Sequence, residues 1–388
     1  MENFVLENPT KIIFGKGTVG TIGREAKQLG TKILFLYGQK SIKNNGVYDE
    51  VLASLNGSGI SHIVEHGGVK SNPLLSHVRQ GIKLVQKDNL DCIVAVGGGS
   101  VIDSAKAISA GALVEHDVWQ FFKGKKSIKK SLPIATVLTL PASASEMNSG
   151  MVITNDDTGY KLGIGNKLLF PKVSILDPTV TYTIPPNYTA YGAVDAIAHI
   201  LEFYCTCKSP DTPVQERFME GLIINIIENC NRTLQKGNDY SARANLMWCA
   251  TLALNGWTAA GLGKVGFPMH MIEHSLSAIY DCPHGAGLSV VIPAWLTWRR
   301  KTHPEKIAQL GERVFGLKSA PVKDQAHQCV NQFRDWFTQI KSPVTLTELG
   351  VPSSDIKKIA EHSMVQAKLW RLQKYDTQIT EDILNLAQ

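Results

Sequence analysis

The sequence predicts an α/β half built on a doubly wound parallel sheet, followed by an all-α half. Two observations carry this. From about residue 12 to 185, short runs that are apolar at every position alternate with longer amphipathic stretches. Beyond Pro185-Pro186 the strand-like runs nearly stop and helical periodicity takes over.

In order, Lys32 to Tyr37 (KILFLY), Cys92 to Val96 (CIVAV), Ile134 to Leu140 (IATVLTL) and Val173 to Leu176 (VSIL) read as buried strands. Apolar side chains on consecutive positions suit strands covered on both faces, which is the condition of a parallel sheet. Asp103 to Leu113 reads as a crossover helix, so the pattern is that of a Rossmann-like βαβα domain. Tyr188 to Tyr204, Val214 to Leu234, Ala242 to Leu254 and Phe267 to Ile279 then carry helical spacing, and the tail from Pro304 to Ala387 continues it. The expected domains are 1–185 and 186–388, with the proline pair as a hinge.

Composition excludes several classes. The chain has 388 residues, 44% hydrophobic and 19% charged, the balance of a globular protein with a large core rather than a disordered one. The net charge of +6 is spread along the chain. Its one dense basic run, Lys123-Gly124-Lys125-Lys126 with Lys129-Lys130, has no interleaved aromatic residues and reads as a solvated loop, so no nucleic-acid partner is expected. The start lacks the pattern of a secretory signal, and the most apolar stretch, Leu288 to Leu296, is too short for a membrane span and contains Pro293. Seven scattered cysteines, an odd number, argue against a disulfide framework. Reduced thiols and a cytoplasmic location are the expectation.

Phosphate-binding signals follow two of the strands. Val96-Gly97-Gly98-Gly99-Ser100 leaves backbone N–H groups uncovered at the start of a helix, which suits a pyrophosphate over an ordinary glycine turn, and Asp103 in the first turn suits the helix dipole. After the strand ending at Tyr37 the G-x-G-x-x-G fingerprint is absent. Where an acidic residue would hold the ribose hydroxyls of NAD stands Gly38, with Lys40, Ser41 and Lys43 close by. That favours NADP(H) over NAD(H). A third loop, Thr139-Leu140-Pro141-Ala142-Ser143-Ala144-Ser145-Glu146, follows a strand with small hydroxyl residues and suits either a nicotinamide wrap or an ordinary strand-to-helix connection.

The sharpest local signal lies in the helical half. Asp195 and His199, four apart, share one helical face. His270 and His274 do the same on a later helix, and His284 follows in a turn that folds back. A carboxylate with imidazoles and no thiolate suits ferrous iron, zinc or another divalent ion with an open position.

Together these residues resemble the iron-dependent alcohol dehydrogenases, in the branch of NADPH-dependent aldehyde reductases and butanol dehydrogenases. The resemblance runs nearly end to end. It begins with Ile13-Phe14-Gly15-Lys16-Gly17, passes through Ser71-Asn72-Pro73, Gly97-Gly98-Gly99-Ser100 and Leu176-Asp177-Pro178, and ends with His270-x-x-x-His274 and Cys282-Pro283-His284-Gly285. It implies Asp195, His199, His270 and His284 as metal ligands, with His274 a catalytic neighbour that either supports the ligands or carries a proton. It implies a cofactor cleft lined by Gly38, Ser41, Asn72, Gly97, Gly98, Gly99, Ser100, Asp103, Thr139, Leu140, Ser143, Ser145 and Lys161. One departure stands out. Much of the family reads nearer Ala-Gly-Thr-Gly-Ser-Glu where this chain has Ala142-Ser143-Ala144-Ser145-Glu146.

The activity implied is reversible hydride transfer between a nicotinamide and a small alcohol–aldehyde pair, by a homodimer. Three rivals stand beside it. They are a polyol (glycerol-type) dehydrogenase, a dehydroquinate-synthase-like cyclase, and a cofactor-free metal-binding module. The cyclase needs cations for an acidic substrate, whereas Ala193, Val194, Ile197, Phe267, Met269 and Ile272 surround the candidate ligands with apolar side chains.

Overall fold

A computed structural model describes residues 1–208, 211–318 and 321–388. The strands are β1 (Lys11–Phe14), β2 (Lys32–Tyr37), β3 (His62–His66), β4 (Cys92–Gly98), β5 (Ile134–Leu140), β6 (Gly150–Asn155), β7 (Tyr160–Gly165) and β8 (Val173–Leu176). Six of them form one sheet in the order β1-β8-β5-β4-β2-β3, every neighbouring pair parallel, while β6 and β7 make a separate antiparallel hairpin. The four strands read from apolar runs are the four interior ones. Ile33 to Leu36 and Cys92 to Val96 are fully buried, as strands covered on both faces must be.

The sheet order positions the loops that follow β2 and β4. From β2 the chain moves outward to β3, returns to β4 beside β2, and then proceeds the opposite way to β5. The carboxyl ends of β2 and β4 therefore flank a switch point, where doubly wound sheets open a ligand crevice. Gly38 follows the first of these strands, and Gly97 to Gly99 end the second and begin the helix Gly99–Gly111.

After Leu176 no strand occurs among the described residues. Pro186, Pro213, Pro268 and Pro304 each sit in the first turn of a helix, where the missing N–H costs nothing. The helices they open, Pro186–Thr206, Pro213–Gln235, Pro268–Tyr280 and Pro304–Phe315, are followed by or interspersed with Tyr240–Ala253, His284–Arg299, Val322–Gln339, Ile356–Leu369 and Thr377–Asn385. His284 lies at the first position of a helix rather than in a turn. The reversal precedes it, at Asp281 in the left-handed region (φ 50°) and at Pro283.

Two compact units result. One comprises Glu7–Ile184 with Gly237–Thr251, the other Met1–Leu6, Pro185–Lys236 and Leu252–Gln388. The inserted helix is tied into its unit by Thr251, whose hydroxyl donates to Glu146 at 2.6 Å, and by Trp248, edge-on to Phe14. All seven cysteines are free, and no helix among the described residues is long and apolar enough to cross a membrane.

Candidate active site

Three helices of the second unit bring three imidazoles to one carboxylate oxygen. Asp195 Oδ1 lies 3.5 Å from His199 Nδ1, 3.6 Å from His270 Nε2 and 3.5 Å from His284 Nε2. Asp195 and His199 project from Pro186–Thr206, a helix buried along most of its length. His270 comes from Pro268–Tyr280, and the tight reversal at Asp281–Pro283 returns His284 so that its ring centre is 5.4 Å from that of His270. Only glycine can follow His284 here, because a Cβ on Gly285 would stand 2.1 Å from the Tyr191 carbonyl oxygen.

These separations are too long for hydrogen bonds. Donor atoms about 2.0–2.2 Å from a tetrahedral ion would stand roughly 3.4 Å apart. The three separations from Asp195 Oδ1 are close to this, and Asp195, His199 and His270 offer ligand atoms all within 4.8 Å of one another, while His284 is grouped in this way with Glu273 and His274. Asp195 Oδ1, His199 Nδ1 and His270 Nε2 are buried and make no hydrogen bond, a costly condition for polar atoms without a ligand. Burial pushes His199 down to about 3, so its imidazole is neutral and retains a lone pair. Burial alone would also depress His270, but the carboxylates of Asp195 and Glu202 lift it to about 9. The surroundings thus favour a positive charge at this point. The donor set of one oxygen and three nitrogens fits a divalent ion. Among these side chains His284 is 26% exposed while the other three are 4–6% exposed, so the cluster is reached from the side of His284.

His274 stands one turn along from His270, its ring 5.7 Å from that of His284 and 5.3 Å from Trp370. Behind the cluster lie two carboxylates that the sequence reading did not single out. Glu202 Oε1 accepts from the backbone N–H of His270 at 2.9 Å and faces its Nδ1 at 3.1 Å. Glu273 Oε2 faces Nδ1 of His284. The signal was present as His199-x-x-Glu202 and His270-x-x-Glu273, charged residues inside otherwise apolar helices.

In the sheet-bearing unit, the loops after β2, β4 and β5 emerge at the same edge of the sheet. A Cβ on Gly97 would meet Val101 at 2.4 Å, and one on Gly99 would meet Ser143 Oγ at 2.2 Å. Glycine there is a steric need. Ser100 donates its hydroxyl to the Ser71 carbonyl, and buried Lys161, on β7, donates to Asn72 Oδ1 at 3.0 Å. Asp103 is engaged by protein groups, accepting from the Ser145 hydroxyl at 2.5 Å and the Val152 N–H at 2.9 Å. Thr139 and Leu140 end β5, and Ala144 in the following loop is fully buried with φ at 53°.

That loop is held from beneath by Lys106, a residue sequence reading missed. Its ammonium donates to Ser145 Oγ at 2.8 Å, Asn148 Oδ1 at 3.1 Å and the Gly150 carbonyl at 2.7 Å. Burial pulls it down to about 8, against the pull of Asp103 and Glu146. Around Gly38 and Ser41, a pocket is lined by Tyr37, Gln39, Lys40, Lys43, Gly67 and Gly68. Lys43 lies 4.5 Å over the Tyr48 ring and 5.1 Å over that of Tyr37.

Comparison with known proteins identifies the family. Residues 9–178 match the iron-containing alcohol dehydrogenase family model, and residues 189–388 match the model for the C-terminal part of the Fe-containing alcohol dehydrogenase family. The chain is 38% identical over its whole length to the probable NADH-dependent butanol dehydrogenase 1 of Bacillus subtilis, covering 99% of that protein. It is 37% identical to the NADPH-dependent aldehyde reductase YqhD of Escherichia coli, over 94% of this chain and 95% of the relative. The crystal structure of NADH-dependent butanol dehydrogenase A from Thermotoga maritima superposes with a TM-score of 0.96 at 44% identity, over 100% of this chain and 99% of that one. On these grounds the chain belongs to the iron-containing alcohol dehydrogenase family.

Proposed function

We propose that this oxidoreductase moves hydride reversibly between NADP(H) and small primary alcohols or aldehydes, with Asp195, His199, His270 and His284 holding a divalent ion, Fe2+ or Zn2+. The observation that carries the reading is the set of buried donor atoms on Asp195, His199 and His270 that face one another without hydrogen bonds, with His284 at the same oxygen.

A bound divalent ion supplies Lewis acidity to a carbonyl or hydroxyl oxygen, and the nicotinamide supplies the hydride carrier. The chain supplies the rest. Asp195 brings the one formal charge among the four ligands, and the three imidazoles leave the ion's charge otherwise uncancelled. Phe267, edge-on to His270 at 5.7 Å, and Trp370 beside His274 form apolar walls that limit water and suit a small uncharged substrate. His274 is the proton carrier: an imidazole beside His284 can take a proton at a ring nitrogen as alcohol is oxidised and return it as aldehyde is reduced.

For the cofactor, the uncovered N–H groups of Gly97 to Ser100 at a helix start bind the pyrophosphate. Asn72, Thr139, Leu140, Ser143 and Lys161 lie along the remaining path, and Lys106, through Ser145, keeps the third loop in place. NADP(H) is preferred because Lys40 and Lys43 line the pocket beside Gly38 and Ser41, where a 2′-phosphate needs cations and no carboxylate. Relatives carry both preferences in their names, NADH for the butanol dehydrogenases and NADPH for YqhD.

The test is metal analysis of the purified protein together with turnover of an aldehyde panel using each nicotinamide form. Bound iron or zinc, with faster reduction from NADPH, is expected. A folded His270→Ala variant that reduces aldehydes at the wild-type rate would overturn the assignment.

A further inference from the structure

Two carboxylates stand behind the candidate ligands, and both are completely buried. They are arranged as a relay. Glu202, on the helix that carries Asp195 and His199, faces Nδ1 of His270 on the next helix. Glu273, on that next helix, faces Nδ1 of His284 on the one after. In both rings the opposite nitrogen, Nε2, is the one turned to Asp195 Oδ1, at 3.6 Å and 3.5 Å. His199 is the exception, since it turns Nδ1 to that oxygen. Burying a carboxylate is expensive unless it is paired with a donor or a cation, so two such residues in one place need an account that the four ligands alone do not give.

We propose that Glu202 and Glu273 are positioning residues for the ion, each fixing one imidazole in the Nδ1–H tautomer so that its Nε2 lone pair points to the cation. The proposal rests on the metal reading given above. A neutral imidazole has one protonated nitrogen, and the partner of that nitrogen decides which one remains free. A carboxylate acceptor makes the choice, orients the ring and raises the basicity of the free nitrogen. Glu202 also accepts the backbone N–H of His270, which fixes the ring's anchor as well as its proton. Together with Asp195 the pair places three buried carboxylates around a charge of two, which strengthens the hold on a divalent ion over a monovalent one.

The experiment uses zinc as probe. The dissociation constant for Zn2+ is measured by competition with a chromophoric chelator for the wild-type chain, Glu202→Gln and Glu273→Gln. In parallel the 15N shifts of labelled histidines report the tautomers of the neutral His270 and His284 rings in the metal-free wild type, where no ion dictates which nitrogen carries the proton. Glutamine keeps the shape and one acceptor oxygen but removes the charge. The expected results are a weakening of about ten- to a hundredfold in each variant and a proton on Nδ1 of both rings. Affinities within twofold of wild type in both variants would overturn the proposal, and so would a proton on Nε2 of either ring. The tautomer measurement needs no variant, so it decides the matter even where a glutamine variant does not fold. A wild-type chain that binds no zinc removes the metal reading itself, whereas tight binding that survives both substitutions removes only this inference.

Discussion

Gly285 lies so close to Tyr191 that a methyl group on it would come within 2.1 Å of the Tyr191 carbonyl oxygen. The helix that begins with His284 therefore rests on the backbone of the helix that carries Asp195. Gly285→Ala forces the two apart. The expected cost is roughly 1–3 kcal/mol from overpacking, together with a loss of bound metal greater than the fall in stability explains. Thermal melting and metal content of the same preparation check both.

Ala144 carries the departure from the family's glycine-bearing loop, and its backbone sits where glycine would be at ease. The left-handed conformation costs an L-residue roughly 1–2 kcal/mol. Against that, glycine costs about 0.5–1 kcal/mol in chain entropy, and removing a buried methyl costs about 0.8 kcal/mol. These nearly cancel, so Ala144→Gly is expected to melt within about 1 kcal/mol of wild type. Ala144→Val adds β-branching at the same φ and is expected to lose roughly 2 kcal/mol or more. Equal melting of all three would contradict the assigned conformation.

Lys106 gives a pH signature. Its ammonium ionises near 8 in the fold against 10.5 ordinarily, so between those values the unfolded chain binds more protons than the folded one. The contribution of this group to stability then rises with pH across that window. Lys106→Met has no such proton. The difference in melting temperature between wild type and variant should shift in favour of wild type from pH 8 to 10, and a constant difference would rule out the depressed ionisation.

Cofactor choice can be tested at Gly38. A Cβ there would have its nearest neighbours, Val101 Cγ2 and the Val69 carbonyl, at 3.8 Å, so a side chain fits. Gly38→Asp sets a carboxylate against a 2′-phosphate, and juxtaposed like charges cost several kcal/mol. The ratio of kcat/KM for NADPH over NADH is expected to fall by about tenfold or more. An unchanged ratio would remove the reading of this loop.

Much of this was legible in the sequence because burial leaves a mark on composition. β2, β4, β5 and β8 are interior strands with apolar residues on both faces, and each stood out as a run. β1 and β3 are edge strands, half-exposed and carrying Lys11, His62 and Glu65, so they have no such run. The hairpin of β6 and β7 lies outside the main sheet and was not anticipated. Asp195 with His199 and His270 with His274 were legible as pairs at helical spacing, while His284 was read in a turn and joined the set through the family resemblance; the structure brings the three imidazoles of His199, His270 and His284 to Asp195. Glu202 and Glu273 were not legible, because spacing along a helix pairs each with the histidine three residues before it. Their actual partners are on a different helix, a relationship that only tertiary packing creates.

The interleaving of the two units bears on how the chain is made. A ribosome releases residues in order, and the sheet-bearing unit needs Gly237–Thr251 to give Glu146 its hydroxyl partner and Phe14 its aromatic neighbour. The sheet-bearing unit therefore lacks both of these partners when its last strand emerges. They arrive only after a long stretch of the other half has been synthesised, and cutting the chain at Ile184 would yield two fragments that are each incomplete.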